Sequence, residues 1–228
     1  MAYLQNNKCD RLMKILLFIA ILLGNVLAAS AQKDLKDVLR EMPEHVIPYI
    51  NDEQRDEISK FIGVNDTVRV KNMLNGFTAV DVSGDDYARI ILNESMSLQL
   101  KLLDLNDTAR IICMVKTVEK PVKESCVSFY STDWRKLAST FGLPVYGCAD
   151  ELLDAFIQRP DTMPEARFEY LRSCIEPVIL NATMKPDENI ITFSLSIPFD
   201  TKDDGDDEIK AIIKQKSYKW SGYIFKMY

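Results

Sequence analysis

Between Thr67 and Ser131 six short segments follow one another: TVRVKNM, FTAVDVS, DYARIILN, SMSLQLKLLDL, TARIICMVKT and KESCVSFYS. Each is rich in β-branched or other strand-forming residues and is bounded by Asn, Gly, Asp or Pro. Strands this close in sequence are joined by hairpins, because a parallel connection needs a dozen or more residues to cross over. The stretch is therefore predicted to be an antiparallel meander. Any fold for this chain must then supply a layer against the meander's apolar face.

Helices are the expected layer. In DLKDVLREMP the apolar residues Leu35, Val38, Leu39 and Met42 lie at i, i+3, i+4 and i+7, and Pro43 stops the pattern. NDEQRDEISKFIG follows VIPYI, with Asn51 as N-cap, Gln54 three residues on, and Gly63 as the C-terminal stop. After STDW and the turn-rich FGLPVYG the order restarts. ADELLDAFIQ offers a helical face of Leu152, Leu153, Phe156 and Ile157, and DTMPEARFEYLRSCIEP is a second helix between Pro164 and Pro177. PVILNATM, NIITFSLSIPF, a short helix around Ile209 to Lys214 and a last strand in YKWSGYIFKM complete the chain. The predicted class is α+β, a helix pair followed by an antiparallel meander, with two similar halves at 32–135 and 145–228. Patterning alone fits an internal duplication and equally fits two unrelated halves of one domain.

Hairpin register follows from the turns. If Asn106-Asp107 are the central residues of a tight turn, Leu102 faces Ile111, Leu100 faces Cys113 and Leu98 faces Val115. One face of that pair is then wholly apolar, and the other, with Gln99, Lys101 and Arg110, is partly wet. A turn at Glu119-Lys120 would place Cys113 directly across from Cys126. A turn at PDEN sets Leu180, Ala182 and Met184 opposite Leu195, Phe193 and Ile191, with Asn181 and Thr183 against Ser194 and Thr192 on the other face.

The N-terminus reads as a signal peptide over 1–31. Lys8, Arg11 and Lys14 precede the apolar run Ile15 to Leu23, and small Ala29 and Ala31 favour cleavage before Gln32. That run is about half of the ~20 residues a membrane-spanning helix needs, so stable membrane insertion is not expected. Residues 1–31 carry three basic residues against Asp10, so their removal moves the formal charge from -6 to -8. Such a surface repels phosphate backbones, which argues against nucleic acid and anionic membranes as partners. Four of the five cysteines remain after cleavage, and an exported chain with an even number invites disulfides. The pairs expected are Cys113 with Cys126 across a hairpin, and Cys148 with Cys174 between helix ends, the latter worth about 3 kcal/mol.

Catalytic constellations are scarce. His45 is the sole histidine and lies between Pro43 and Pro48, which reads as a solvated loop. There is no G-x-S-x-G, no H-E-x-x-H and no phosphate-binding glycine loop, and eight glycines leave little room for one. DTKDDGDDE at 200–208 fails the calcium-loop spacing, since Lys202 and Ala211 fall where ligands are required. No cofactor or metal is expected. Trp134, Tyr218 and Trp220 are candidates for a ligand platform and equally for core packing. Asp-Thr followed by an apolar residue occurs at Thr67, Thr108 and Thr162, and turn chemistry accounts for these sites as well.

EMPEHVIPYIN, SLQLKLLDLNDTARIICMVKTV, SFYSTDW and YKWSGY together resemble a family of secreted Bacteroidales proteins known only as a domain of unknown function, number 3256. The resemblance covers nearly the whole chain after residue 31 and brings no activity with it. It implies a host that attaches O-glycans at Asp-Ser/Thr-apolar sites on exported proteins, which makes Thr67, Thr108 and Thr162 acceptor candidates. The helix-pair-plus-sheet order also looks like the β-lactamase inhibitor protein fold, a likeness of architecture that carries no function. The expected function is a non-enzymatic periplasmic or surface-associated protein that binds another protein or a cell-envelope component. The alternatives are a hydrolase using a carboxylate pair and a carbohydrate-binding module.

Overall fold

A computed structural model describes residues 32–48, 50–64, 68–197 and 205–228. The expected signal peptide at 1–31, the glycan candidate Thr67 and most of the acidic run from Asp200 lie outside these residues. Helix α1 (Leu35–Arg40) starts where Asp34 accepts a hydrogen bond from the Asp37 amide, and it buries Leu35, Val38 and Leu39. Helix α2 (Asp52–Ser59) carries the expected capping box: Asn51 accepts from the Gln54 amide at 2.9 Å and Gln54 accepts from the Asn51 amide at 3.0 Å. These reciprocal bonds satisfy two amides that a helix start otherwise leaves open.

The meander is a seven-stranded antiparallel sheet in chain order. Its strands are β1 (Val68–Lys71), β2 (Phe77–Ser83), β3 (Tyr87–Asn93), β4 (Met96–Asp104), β5 (Arg110–Val118), β6 (Glu124–Ser131) and β7 (Lys136–Leu137). Helices α3 (Ala149–Phe156) and α4 (Glu165–Ser173) follow, then β8 (Ile179–Met184) and β9 (Ile190–Ser196), α5 (Gly205–Ile212), β10 (Lys216–Trp220) and β11 (Phe225–Met227). The last four strands form a second antiparallel sheet, again a meander, in the order β11-β10-β9-β8. The α+β class is thus met, with a helix pair ahead of each meander, although one sheet has seven strands and the other four.

Two cores sit on the two faces of the larger sheet. On one face α1 and α2 cover Val70, Val80, Ile90, Leu98, Leu100, Leu102, Ile112 and Met114. On the other, Leu103, Ile111, Cys113, Val115 and Phe129 join the apolar face of the second sheet and residues of α3, α4 and α5. Strands β4 and β5 are consequently buried on both sides along most of their length. The face expected to be partly wet is instead a second core.

The β4–β5 register also departs from expectation by one residue. Leu102 pairs with Ile112, Leu100 with Met114 and Lys101 with Cys113. The connection is not a two-residue turn. The Leu105 and Asn106 amides both donate to the Ala109 carbonyl, and Asn106 Oδ1 accepts from the amides of Thr108 and Ala109 and from the Thr108 hydroxyl. Asn106 thus opens a wider side-chain-capped loop rather than sitting at a turn centre. A slip of one residue exchanges cross-strand partners between faces. In β8–β9 the expected register is the observed one, with Leu180 opposite Leu195, Ala182 opposite Phe193 and Met184 opposite Ile191.

Candidate functional site

Among the described residues no strand pairs the outer edge of β8, and side chains of the larger sheet take the place of one. Gln99 Oε1 accepts from the Met184 amide at 2.8 Å and from the Tyr87 hydroxyl at 3.2 Å. Lys101 Nζ donates to the Pro186 carbonyl at 2.6 Å and to Asp86 Oδ1 at 3.0 Å. Ser125 Oγ donates to Asn181 Oδ1 at 3.1 Å and lies 2.9 Å from Thr117 Oγ1. Gln99, Lys101 and Thr117 are all buried, and their hydrogen bonds explain why polar residues occupy the middle of a core strand. Burial lifts the Tyr87 phenol to about 12, with Arg89 opposing the rise.

Where this seam opens to solvent it leaves a crevice of two lobes. The smaller holds about 240 Å³ between Tyr87, Arg89, Gln99 and Glu119 on one side and Asn181 to Met184 on the other. The larger holds about 830 Å³ and is lined by Asp85, Asp86, Lys101, Arg110 and Asp187. Val82 and Pro186 border both lobes. Charges of both signs alternate around the rim and engage one another: Arg89 with Asp81 at 3.4 Å, Lys123 with Glu119 at 3.5 Å and Arg110 with Asp104 at 2.6 Å. Three carboxylates meet in the larger lobe, and one of them, Asp86, is held by the Lys101 ammonium. None of these residues was singled out from sequence as a site. Lys101 inside an apolar strand was the one signal that could have marked it.

The aromatic platform is not presented to a ligand. Trp134, Tyr218 and Trp220 are all buried, none more than 7% exposed. Trp134 donates its indole N–H to the Val38 carbonyl at 2.8 Å and so ties the larger sheet to α1. Trp220 donates to the Asp104 carbonyl at 2.8 Å and packs edge-on against Phe141 and Phe225. Tyr218 packs edge-on against Phe193. All three are core residues, which corrects the surface reading. The FGLPVYG turn lies against this cluster, and Gly142 has a positive φ where a Cβ would come within 2.7 Å of the Phe225 carbonyl.

The cysteines are also rearranged. All four described cysteines are free thiols. Cys113 pairs with Phe129 and Cys126 with Lys116, because Glu119 to Lys123 form a five-residue connection. The two sulfurs therefore stand three strand positions apart, roughly 10 Å along β6, and point to opposite faces, which excludes the expected bridge. Cys148 caps the start of α3 and Cys174 the end of α4, and they too are unbridged here. Full burial holds the Cys113 thiol far above its ordinary range. A maleimide reagent applied to the folded, reduced protein is expected to label Cys126 and Cys148 and to spare Cys113 until denaturant is added; mass mapping of the labelled peptides reads this directly. Rapid labelling of Cys113 would contradict the burial.

Of the glycan candidates, Thr108 and Thr162 are exposed, in the β4–β5 loop and in the turn before α4. His45 is exposed, as its loop position implied. Among the described residues no helix is long and apolar enough to cross a membrane.

A crevice between two antiparallel sheets, rimmed by paired charges, defines the class structurally as a two-sheet α+β domain. The chain belongs to the family described as protein of unknown function (DUF3256), whose model matches residues 27–225. A solved structure of a domain of an uncharacterized protein from Porphyromonas gingivalis W83 has a similar fold, with a TM-score of 0.68 and 19% identity over 85% of this chain and 98% of that one. Comparison with curated proteins returns no match.

Proposed function

We propose that this is an exported, non-enzymatic binding protein that holds another protein or a cell-envelope component in the crevice between its sheets. The observation that carries the reading is the engagement of the crevice's buried polar groups. Gln99 and Lys101 spend hydrogen bonds on β8 and its turn, Thr117 bonds Ser125, which in turn donates to Asn181 of β8, and Asp86 is neutralised by Lys101. What faces solvent is a rim of mixed charge, suited to orienting a polar partner and poorly suited to moving a proton.

Export rests on the signal-like residues before Gln32. In an oxidising compartment Cys148 and Cys174, at the start of α3 and the end of α4, are the proposed bridge, and exposed Thr108 and Thr162 are open to O-glycans. The shared order of helix pair and meander supports duplication as the origin of the two halves and keeps the likeness to the β-lactamase inhibitor protein architecture.

The test is mild crosslinking of the tagged, exported protein in envelope extracts, followed by affinity capture. A specific crosslinked species is expected, and Arg89→Glu with Asp187→Lys on the crevice rim is expected to remove it while leaving the urea midpoint in place. Equal capture by that variant, or no species above background, would sink the crevice reading. The hydrolase alternative gains if Asp85→Asn and Asp187→Asn abolish turnover of a model ester or glycoside that the wild type hydrolyses.

A further inference from the structure

The β1–β2 hairpin carries a feature the crevice does not use. Its tip exposes three large apolar side chains, Met73 at 58%, Leu74 at 61% and Phe77 at 59%. Such a cluster in one turn differs from the scattered exposed apolar residues that any surface has. Nor is the tip a loose loop. Buried Asn72 accepts from the amides of Leu74 and Gly76, both at 3.0 Å, its own amide donates to the Gly76 carbonyl, and its side-chain nitrogen reaches Thr78 Oγ1 and the Leu92 carbonyl at 3.4 Å. Asn75 turns the chain with a positive φ of 59°. The apolar groups are thus held outward by a fixed backbone.

Charge around the tip runs against the rest of the chain. From Val68 to Val80 there are two cations, Arg69 and Lys71, and no carboxylate, whereas the whole chain carries -6. Lys71 stands directly opposite Phe77 and Arg69 opposite Ala79, so both cations share Phe77's face within two residues of the tip. Helix α2 packs on the other face, where Ile58 and the following Ile62 share a core with Val70 and Val80, and its acidic first turn reaches the base of the hairpin, Gln54 donating to the Lys71 carbonyl at 2.6 Å. Apolar side chains at an end with lysine and arginine just behind them are the arrangement of an interfacial anchor. The former enter the acyl boundary while the latter reach the phosphate level.

We infer that this hairpin tip docks the protein, reversibly, on a bilayer surface bearing anionic headgroups. The acidic remainder does not forbid this, because charges more than about 8 Å from the surface are screened at physiological salt. The crevice lies at the opposite end of β2, from Val82 onward, and the strand between holds it about 17 Å from Phe77. The inference is independent of what the crevice binds.

The experiment is flotation of the folded protein with vesicles of phosphatidylglycerol and phosphatidylethanolamine, against vesicles of phosphatidylcholine alone. Wild type is expected to float with the anionic vesicles and to be released by high salt. Met73→Ser/Leu74→Ser/Phe77→Ser is expected to lower the bound fraction by about tenfold or more, and Arg69→Glu/Lys71→Glu to abolish the preference for anionic lipid. Circular dichroism and urea midpoints matching wild type keep both variants interpretable, since every altered side chain is exposed. Absence of flotation by wild type, or equal flotation by the triple-serine variant, would overturn the inference. A lipid-free dimer that the triple-serine variant loses would also overturn it, by assigning the tip to a second copy of the chain.

Discussion

Trp220→Ala is expected to lower the free energy of unfolding by about 3–5 kcal/mol, the range for removing a buried tryptophan. With a urea m-value of roughly 2 kcal/mol per molar, that moves the unfolding midpoint down by about 2 M. The size follows from where the indole sits. Its ring meets Phe141 and Phe225 edge-on, its N–H ends on the Asp104 carbonyl at the close of β4, and it therefore joins the last strands to the larger sheet. Trp220→Phe keeps most of the ring contact and gives up the hydrogen bond, so a smaller loss of about 1 kcal/mol is expected, plus what the smaller ring leaves unfilled. If the alanine variant kept its urea midpoint and lost only glycan binding, the surface-platform reading would return in place of the core one.

The tryptophans illustrate what a single sequence can and cannot carry. Alternation places Tyr218 and Trp220 on one face of a strand, and the structure agrees, since both lie in the same core, although the single last strand expected in YKWSGYIFKM is a hairpin of β10 and β11. Whether that face meets water or another layer is a tertiary fact that alternation does not encode. Local chemistry was legible to the atom in the Asn51-Gln54 capping box and the PDEN hairpin, which depend on residues within a few positions of one another, whereas the helix ends at Ser59, short of the expected stop at Gly63. The β4–β5 hairpin was not legible. Asn-Asp suits a two-residue turn, yet here Asn106 caps a longer loop, and one residue of slip moved Cys113 from beside Leu100 to beside Lys101.

The crevice was hidden for a related reason. Gln99 and Lys101 alternate with leucines and read as the solvent face of a half-buried strand, which is the ordinary meaning of that pattern. They are buried because the second sheet arrives from 80 residues further along the chain and brings an unpaired strand edge with it. Only the lysine's presence beside so many apolar neighbours hinted that a partner was needed.

That role for Gln99 yields the second large effect. Gln99→Leu roughly preserves size, replaces the amide by apolar surface and removes the acceptor shared by the Met184 amide and the Tyr87 hydroxyl. Two buried donors are then left without a partner, each at a cost of about 1–3 kcal/mol. A loss of roughly 2–4 kcal/mol of stability is expected, offset in part by the easier burial of leucine. The damage should be local before it is global. In wild type the Met184 amide exchanges slowly because it is buried and bonded, and in Gln99→Leu its hydrogen exchange should accelerate more than that of amides in the β4–β5 ladder. Gln99→Glu separates the hydrogen bond from the packing, since a carboxylate can still accept from both donors while its charge in the seam carries a desolvation cost. If Met184 exchanged at the wild-type rate in Gln99→Leu, the side-chain capping of β8 would not be what holds the two sheets together at the crevice.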